Sequence, residues 1–219
     1  MPPFNLDPDF TAAAFPELRS YLEALLSGGE RIAPKRQKEI QAVSRFAAEE
    51  IKVGREVKLI FICTHNSRRS HFGQVWAATA AEAFGLPGIT TYSGGTAATA
   101  FNPRAATALE RAGFRVQRPE GRNPPYEVAW SGRRPAMICF SKIYDDPSNP
   151  HTGFAAVMTC SEADHSCPLI PGATARFSLP YEDPKSADGT ERETARYDER
   201  CRQIATEMLF LFQQVREAR

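Results

Sequence analysis

No apolar run in the 219-residue sequence approaches the roughly 20 residues that a membrane-crossing helix needs, so no spanning segment is expected. The start, MPPFNLDPDF, lacks both a basic n-region and an apolar h-region, which makes the cytoplasm the expected compartment. An excess of charge of one sign is also missing. The 27 Lys and Arg against 26 Asp and Glu leave a net charge of +1, with both signs mixed along the chain. Neither a nucleic-acid partner nor a polybasic membrane surface is expected, and any anion binding must be local. No internal repeat or low-complexity tract interrupts the chain. Cysteine is scarce and odd in number, at five, in a chain too long to need stapling. That argues against a secreted disulfide scaffold and for thiols that are structural, metal-binding or reactive.

What is present is ordinary globular composition, 42% hydrophobic and 24% charged, arranged in two regimes. Residues 1–55 read as a helical extension. Phe15, Leu18, Leu22, Leu25 and Leu26 share a face that Gly28-Gly29 ends; a second helix starts at Pro34, with Ile40, Val43, Phe46, Ala47 and Ile51 inward and Gly54 at its end. Two roles stand for these helices: a packing or dimerisation appendage, and a lid. From residue 56 the pattern alternates. Apolar runs at 57–62, 89–94, 154–160 and 173–179 read as strands, and 70–84, 102–114 and 191–217 read as helices. The expected fold is α/β, a four-stranded mainly parallel sheet flanked by helices, whose ligand site lies beyond the carboxyl ends of the strands. Residues 115–153, rich in Pro and Gly, break the alternation and read as an insertion at the sheet edge, with a hairpin over 127–140.

Cys63 stands at that carboxyl edge, opening the stretch CTHNSRRSH before the first helix of the domain. A loop that leaves a strand and enters a helix aims backbone N–H groups and the helix dipole at one point, which suits a tetrahedral oxyanion. The same field stabilises a thiolate at the loop's start and should lower the Cys63 pKa. Arg69 can add a two-pronged donor to the anion and to the transition state.

These residues resemble the signature Cys-x-Gly-Asn-x-x-Arg-Ser of the low-molecular-weight protein tyrosine phosphatase superfamily, which includes thioredoxin-coupled arsenate reductases. Cys63, Asn66, Arg69 and Ser70 fall on the matching positions, and the resemblance extends over residues 57–217. It implies that Thr64, His65, Asn66, Ser67, Arg68 and Ser70 shape the oxyanion loop, and that Ser93 in the turn YSGG hydrogen-bonds to it. It also implies an Asp-Pro acid after the last strand. Asp183-Pro184 has that place, and Asp183 would need a raised pKa in the occupied site; Asp146-Pro147 and Asp145 read as a turn. Two departures are His65, where glycine and a positive φ are usual, and Arg68, where cysteine is common.

TCSEADHSCP places Cys160 at the end of another strand, with Cys167 seven residues on. The arsenate-reductase branch carries such a Cys-x6-Cys, followed by Pro. The resemblance implies a relay in which Cys63 attacks arsenate, Cys160 attacks Cys63, and Cys167 closes a disulfide with Cys160 that thioredoxin reduces. Such a disulfide requires residues 161–166 to loop or unwind. No bound cofactor or metal is expected, although Cys160, Cys167 and His165 form an alternative zinc set. Cys139 and Cys201 read as buried thiols, His71 and His151 carry no assignment, and Arg133 and Arg134 belong to a solvated loop or guide an anion. A phosphatase hydrolysing phosphate monoesters such as phosphotyrosine, through a Cys63 phosphoenzyme, is the rival reading. A non-catalytic oxyanion or redox sensor, its loop altered by His65, is a third.

Overall fold

The architecture is that of a computed structural model, which describes residues 6–28, 31–167 and 169–219; Gly29 and Pro168 lie outside them. Strand β1 (Val57–Cys63) is almost wholly buried because it is central. It pairs with β2 (Ile89–Gly95) on one side and β6 (Phe154–Met158) on the other, and β7 (Ala173–Ser178) follows, in the order β2-β1-β6-β7 with every pairing parallel. Alternation along β1 sorts its side chains: Leu59 and Phe61 enter the larger core, Ile60 and Ile62 the smaller one that holds Cys63 and Cys160.

Helices cover the sheet. The two named α4 (Arg69–Ala83) and α7 (Glu193–Glu217) pack on each other, and α5 (Pro103–Arg111) lies against α7. Helix α4 sits close to the sheet because of Gly73, where a Cβ would fall 2.5 Å from Phe61 Cδ1. The N-terminal segment forms α1 (Pro8–Ala13), α2 (Pro16–Ser27) and α3 (Pro34–Lys52), each with proline in its first turn and the first also capped by Asp7. Leu18, Leu22, Ile40, Val43 and Ala47 are fully buried in the same core as β1 and α7, so this segment completes the domain's core.

The hairpin expected over 127–140 is β4 (Tyr126–Ala129) with β5 (Met137–Cys139), and β3 (Arg115–Gln117) joins it in a small antiparallel sheet. Arg133 and Arg134 are exposed on the β4–β5 connection. The chain then returns along the end of β2, where Gly95 N–H donates to Lys142 O and Tyr144 N–H to Gly95 O, at 2.9 and 3.0 Å. Asp146 is a turn residue as read, accepting from Ser148 N–H and its hydroxyl at 2.9 and 2.7 Å. No helix among the described residues is long and apolar enough to cross a membrane.

Candidate active site

Residues 63–68 form the connection from β1 into α4. Its carbonyls are tied outward. Cys63 O accepts from Thr96 N–H, Thr64 O from Ala97 N–H, His65 O from the Ser141 hydroxyl and Ser67 O from Asn102 N–H, at 2.8 to 3.1 Å. A planar trans peptide sets N–H opposite C=O, so carbonyls tied outward favour amides that face the loop's interior, a cradle suited to an anion. Arg68 makes no side-chain cap at the start of α4, leaving the helix's first amides to the same cradle.

The strained residue is Asn66, at φ 42°, and His65 is exposed without a positive φ. This corrects the expectation placed on His65. Asparagine tolerates the left-handed region, and here its amide is fixed at both ends: Nδ2 donates to Ser70 Oγ at 2.8 Å, and Oδ1 accepts from Lys142 N–H at 2.9 Å. Since Ser70 Oγ already accepts from Asn66, its own proton is available to Cys63 Sγ, 3.1 Å away. Ser67 donates to Ala100 O at 2.8 Å. Ser93 reaches His71 Nδ1 at 3.2 Å, in the first turn of α4, instead of the loop itself. His71 lies tilted against Phe101, ring centroids 4.2 Å apart, and is held neutral, its pKa down to about 3 through burial and then Lys142.

Asp183 follows β7, where chain order placed it. Arg68 Nε and Nη2 donate to its two oxygens at 2.7 and 3.1 Å, and Arg69 Nη2 lies 3.0 Å from Oδ2. Burial pushes the carboxyl up, yet the Arg68 hydrogen bonds, Arg69 and the Lys185 amide outweigh it and hold Asp183 below the usual range. In this geometry Asp183 is the carboxylate partner of two guanidinium groups; the raised pKa expected for it belongs to the occupied site. Arg68 turns to this carboxylate and away from loop support.

Arg69 also donates to Tyr181 O at 3.0 Å. Tyr181 is a residue the sequence did not flag, as are Ser141, Lys142 and, behind Tyr181, Glu207 and Arg36. The Tyr181 hydroxyl donates to Glu207 Oε2 at 2.8 Å, Arg36 Nε donates to the same oxygen at 3.0 Å, and the Arg36 guanidinium lies over the Tyr181 ring.

Cys160 is fully buried and caps the six-residue helix α6 (Ser161–Ser166), accepting from Ala163 N–H at 3.4 Å; its Sγ is also 3.4 Å from Thr64 Oγ1. Burial pushes this thiol's pKa up, against the Thr64 and Ala163 hydrogen bonds. Cys167 stands half-buried at the other end of α6, so Cys160, His165 and Cys167 do not converge, and no cluster of three metal-ligating side chains occurs among the described residues. Cys139 and Cys201 are buried away from the loop with thiols pushed up to about 12 by burial, and Cys201 accepts from Trp76 Nε1 at 3.3 Å.

No family model matches the chain. It is 27% identical over 159 residues to an arsenate reductase of Bacillus licheniformis, covering 73% of this chain and 96% of that protein. An arsenate reductase of Bacillus subtilis is 27% identical over 148 residues, covering 67% and 88%. Among solved structures, a low-molecular-weight protein tyrosine phosphatase from T. tengcongensis superposes with a TM-score of 0.50 at 16% identity, covering 72% of this chain and 99% of that one.

Proposed function

We propose that the chain is an enzyme of the low-molecular-weight protein tyrosine phosphatase superfamily that reduces arsenate to arsenite, with thioredoxin as external reductant; its sequence similarity to arsenate reductases and its fold support this reading. One observation carries this reading: a second thiol, Cys160, is packed against the nucleophile's loop, and a third, Cys167, ends the same short helix. Hydrolysis of a phosphate ester needs neither.

In the first step the Cys63 thiolate attacks arsenic in dihydrogen arsenate. An S–As bond forms, an As–O bond breaks, and water leaves with both hydrogens of the substrate. The inward amides and Arg69 hold the remaining oxygens while Ser70 donates to the sulfur. The Cys160 thiolate then attacks Cys63 Sγ; the S–As electron pair passes to arsenic, which departs as arsenite, and a Cys63–Cys160 disulfide is left. Cys167 attacks Cys160, releases Cys63 and forms the disulfide that thioredoxin reduces.

The last exchange needs a conformational change. Seven residues rise about 10 Å along a helix, whereas disulfide Cα atoms lie about 4.4–6.8 Å apart, so α6 must unwind. What resists is Asp164, which pairs with Arg176 at 2.6 Å and accepts from the Ser178 hydroxyl at 2.6 Å, both on β7. Arg176→Ala is expected to speed Cys160–Cys167 disulfide formation and to make its reduction potential more negative by ~20 mV, for a partly exposed pair worth ~1 kcal/mol. Redox titration against glutathione measures this.

The function itself is tested by NADPH consumption with thioredoxin and thioredoxin reductase, with and without arsenate, alongside aryl phosphate release. Arsenate-dependent consumption is expected. Its absence, with aryl phosphate release intact, would overturn the relay. The complete oxyanion loop would then favour the second reading, a phosphate monoesterase working through a Cys63 phosphoenzyme, its nucleophile guarded by Cys160 and Cys167.

A further inference from the structure

Arg68 opens α4 without capping it and reaches Asp183, 115 residues further along the chain. Its planar fork meets both carboxylate oxygens, and with the Arg68 side chain 9% and the Asp183 side chain 27% exposed the pair is partly shielded from competing solvent. Arg69 approaches one of those oxygens from the other side. The two guanidinium groups differ in what a bound oxyanion does to them. Arg69, at the signature position, has one contact with the carboxylate and is the group a bound oxyanion would draw; Arg68 is held to Asp183 by two hydrogen bonds. The other groups facing this carboxylate are Glu162 from α6, whose carboxylate is 3.8 Å from Arg69 and mostly exposed, the Lys185 amide, and Tyr197 from α7, whose hydroxyl donates to Asp188 at 2.8 Å. None of them replaces Arg68.

The consequence falls on the leaving group. When a thiolate attacks a phosphate monoester dianion, an S–P bond forms, the ester P–O bond breaks, and the departing oxygen takes one proton from the protein. When it attacks dihydrogen arsenate, the departing oxygen leaves as water with the substrate's own hydrogens. We propose that Arg68 is a positioning residue that sets the substrate class, holding Asp183 as a carboxylate during turnover so that the site favours oxyanions carrying their own departing proton over ordinary phosphate esters. This deepens the arsenate reading and rests, as that reading does, on Cys63 as nucleophile.

The experiment compares wild type, Arg68→Ala, Arg68→Lys and the Arg68→Ala/Asp183→Asn double variant in the full chain. It follows cleavage of phenyl phosphate, a poor leaving group, and 4-nitrophenyl phosphate, a good one, against pH, with the Asp183 carboxyl titrated by NMR in the presence of inorganic phosphate. An acid must be protonated to act, so phenyl phosphate cleavage falls as pH rises through the Asp183 pKa; loss of Arg68 moves that fall upward. Arg68→Ala is expected to raise the phenyl to nitrophenyl rate ratio at least about tenfold and to move the falling limb and the Asp183 titration up by about one pH unit. Arg68→Lys should fall between, and the double variant should lose the gain. An unchanged ratio, or an unchanged Asp183 titration, overturns the proposal, as does absence of ester cleavage in every protein. Arsenate-dependent NADPH consumption by the same preparations separates the failures: if it persists, only the Arg68 proposal falls; if it is absent, the arsenate reading falls too.

Discussion

Cys160→Ser is expected to reduce thioredoxin-coupled arsenate turnover to background, a loss of at least about a hundredfold, while aryl phosphate hydrolysis stays within about threefold of wild type. The substitution is gentle for the fold. Cys160 is the N-cap of α6, and serine caps a helix better than cysteine does, so the bond from Ala163 N–H survives. What disappears is the sulfur that accepts the attack of Cys167 and itself attacks Cys63. Arsenic then stays bound to Cys63 in its oxidised state until water removes it. Cys167→Ser should differ by stopping one step later, releasing one equivalent of arsenite and leaving a Cys63–Cys160 disulfide visible by mass spectrometry under non-reducing conditions. Sustained NADPH consumption by Cys160→Ser would sink the order of thiols proposed above.

Glu207→Ala should be the most destabilising single change behind the site. The Glu207 carboxylate is 4% exposed and gathers three partners: the Tyr181 hydroxyl, Gln203, and Arg36, which both hydrogen-bonds to it and brings its charge to 2.9 Å. Without it, Arg36 keeps Glu39 and the Tyr181 ring, but a guanidinium whose side chain is 14% exposed loses its main counter-charge. Breaking a buried pair from one side costs about 3–5 kcal/mol, and the remaining partners place this case near the lower end. For a chain of this size that is a fall in Tm of roughly 6–12 °C. Activity should suffer as well, because Tyr181 offers its ring side to this network and its carbonyl to Arg69. Glu207→Gln, which keeps an acceptor, should cost less than half as much. A Tm within about 2 °C of wild type for Glu207→Ala would show that the network contributes little.

Much of this was legible in the sequence wherever the cause was local. The alternation of short apolar runs with helical periodicities gave the parallel sheet, and the loop from Cys63 to Ser70 could be read because its residues are contiguous. Asp183 was found by chain order. Its ionic partnership was not, since Arg68 and Asp183 lie on segments that only the folded sheet brings together. The same holds for Lys142 and Ser141, which fasten the loop through a backbone amide and a hydroxyl delivered by the return from the small sheet. The strain expected at His65 fell one residue later, on Asn66, whose side chain is bonded at both ends. Read as an appendage, the N-terminal helices had correctly assigned faces; nothing in their periodicity reveals that Arg36 meets Glu207, 171 residues away.

Both tryptophans of the chain lie along the seam where the N-terminal helices dock. Trp130 stacks on Phe10 of α1 with ring centroids 4.8 Å apart, and Trp76 on Tyr21 of α2 at 5.6 Å. Intrinsic fluorescence of this protein is therefore a reporter of that docking. Trp76 emits beside a thiol, Cys201, a ready quencher; separation of the helices changes colour and intensity together, while chemistry at Cys63 proceeds out of the indoles' contact.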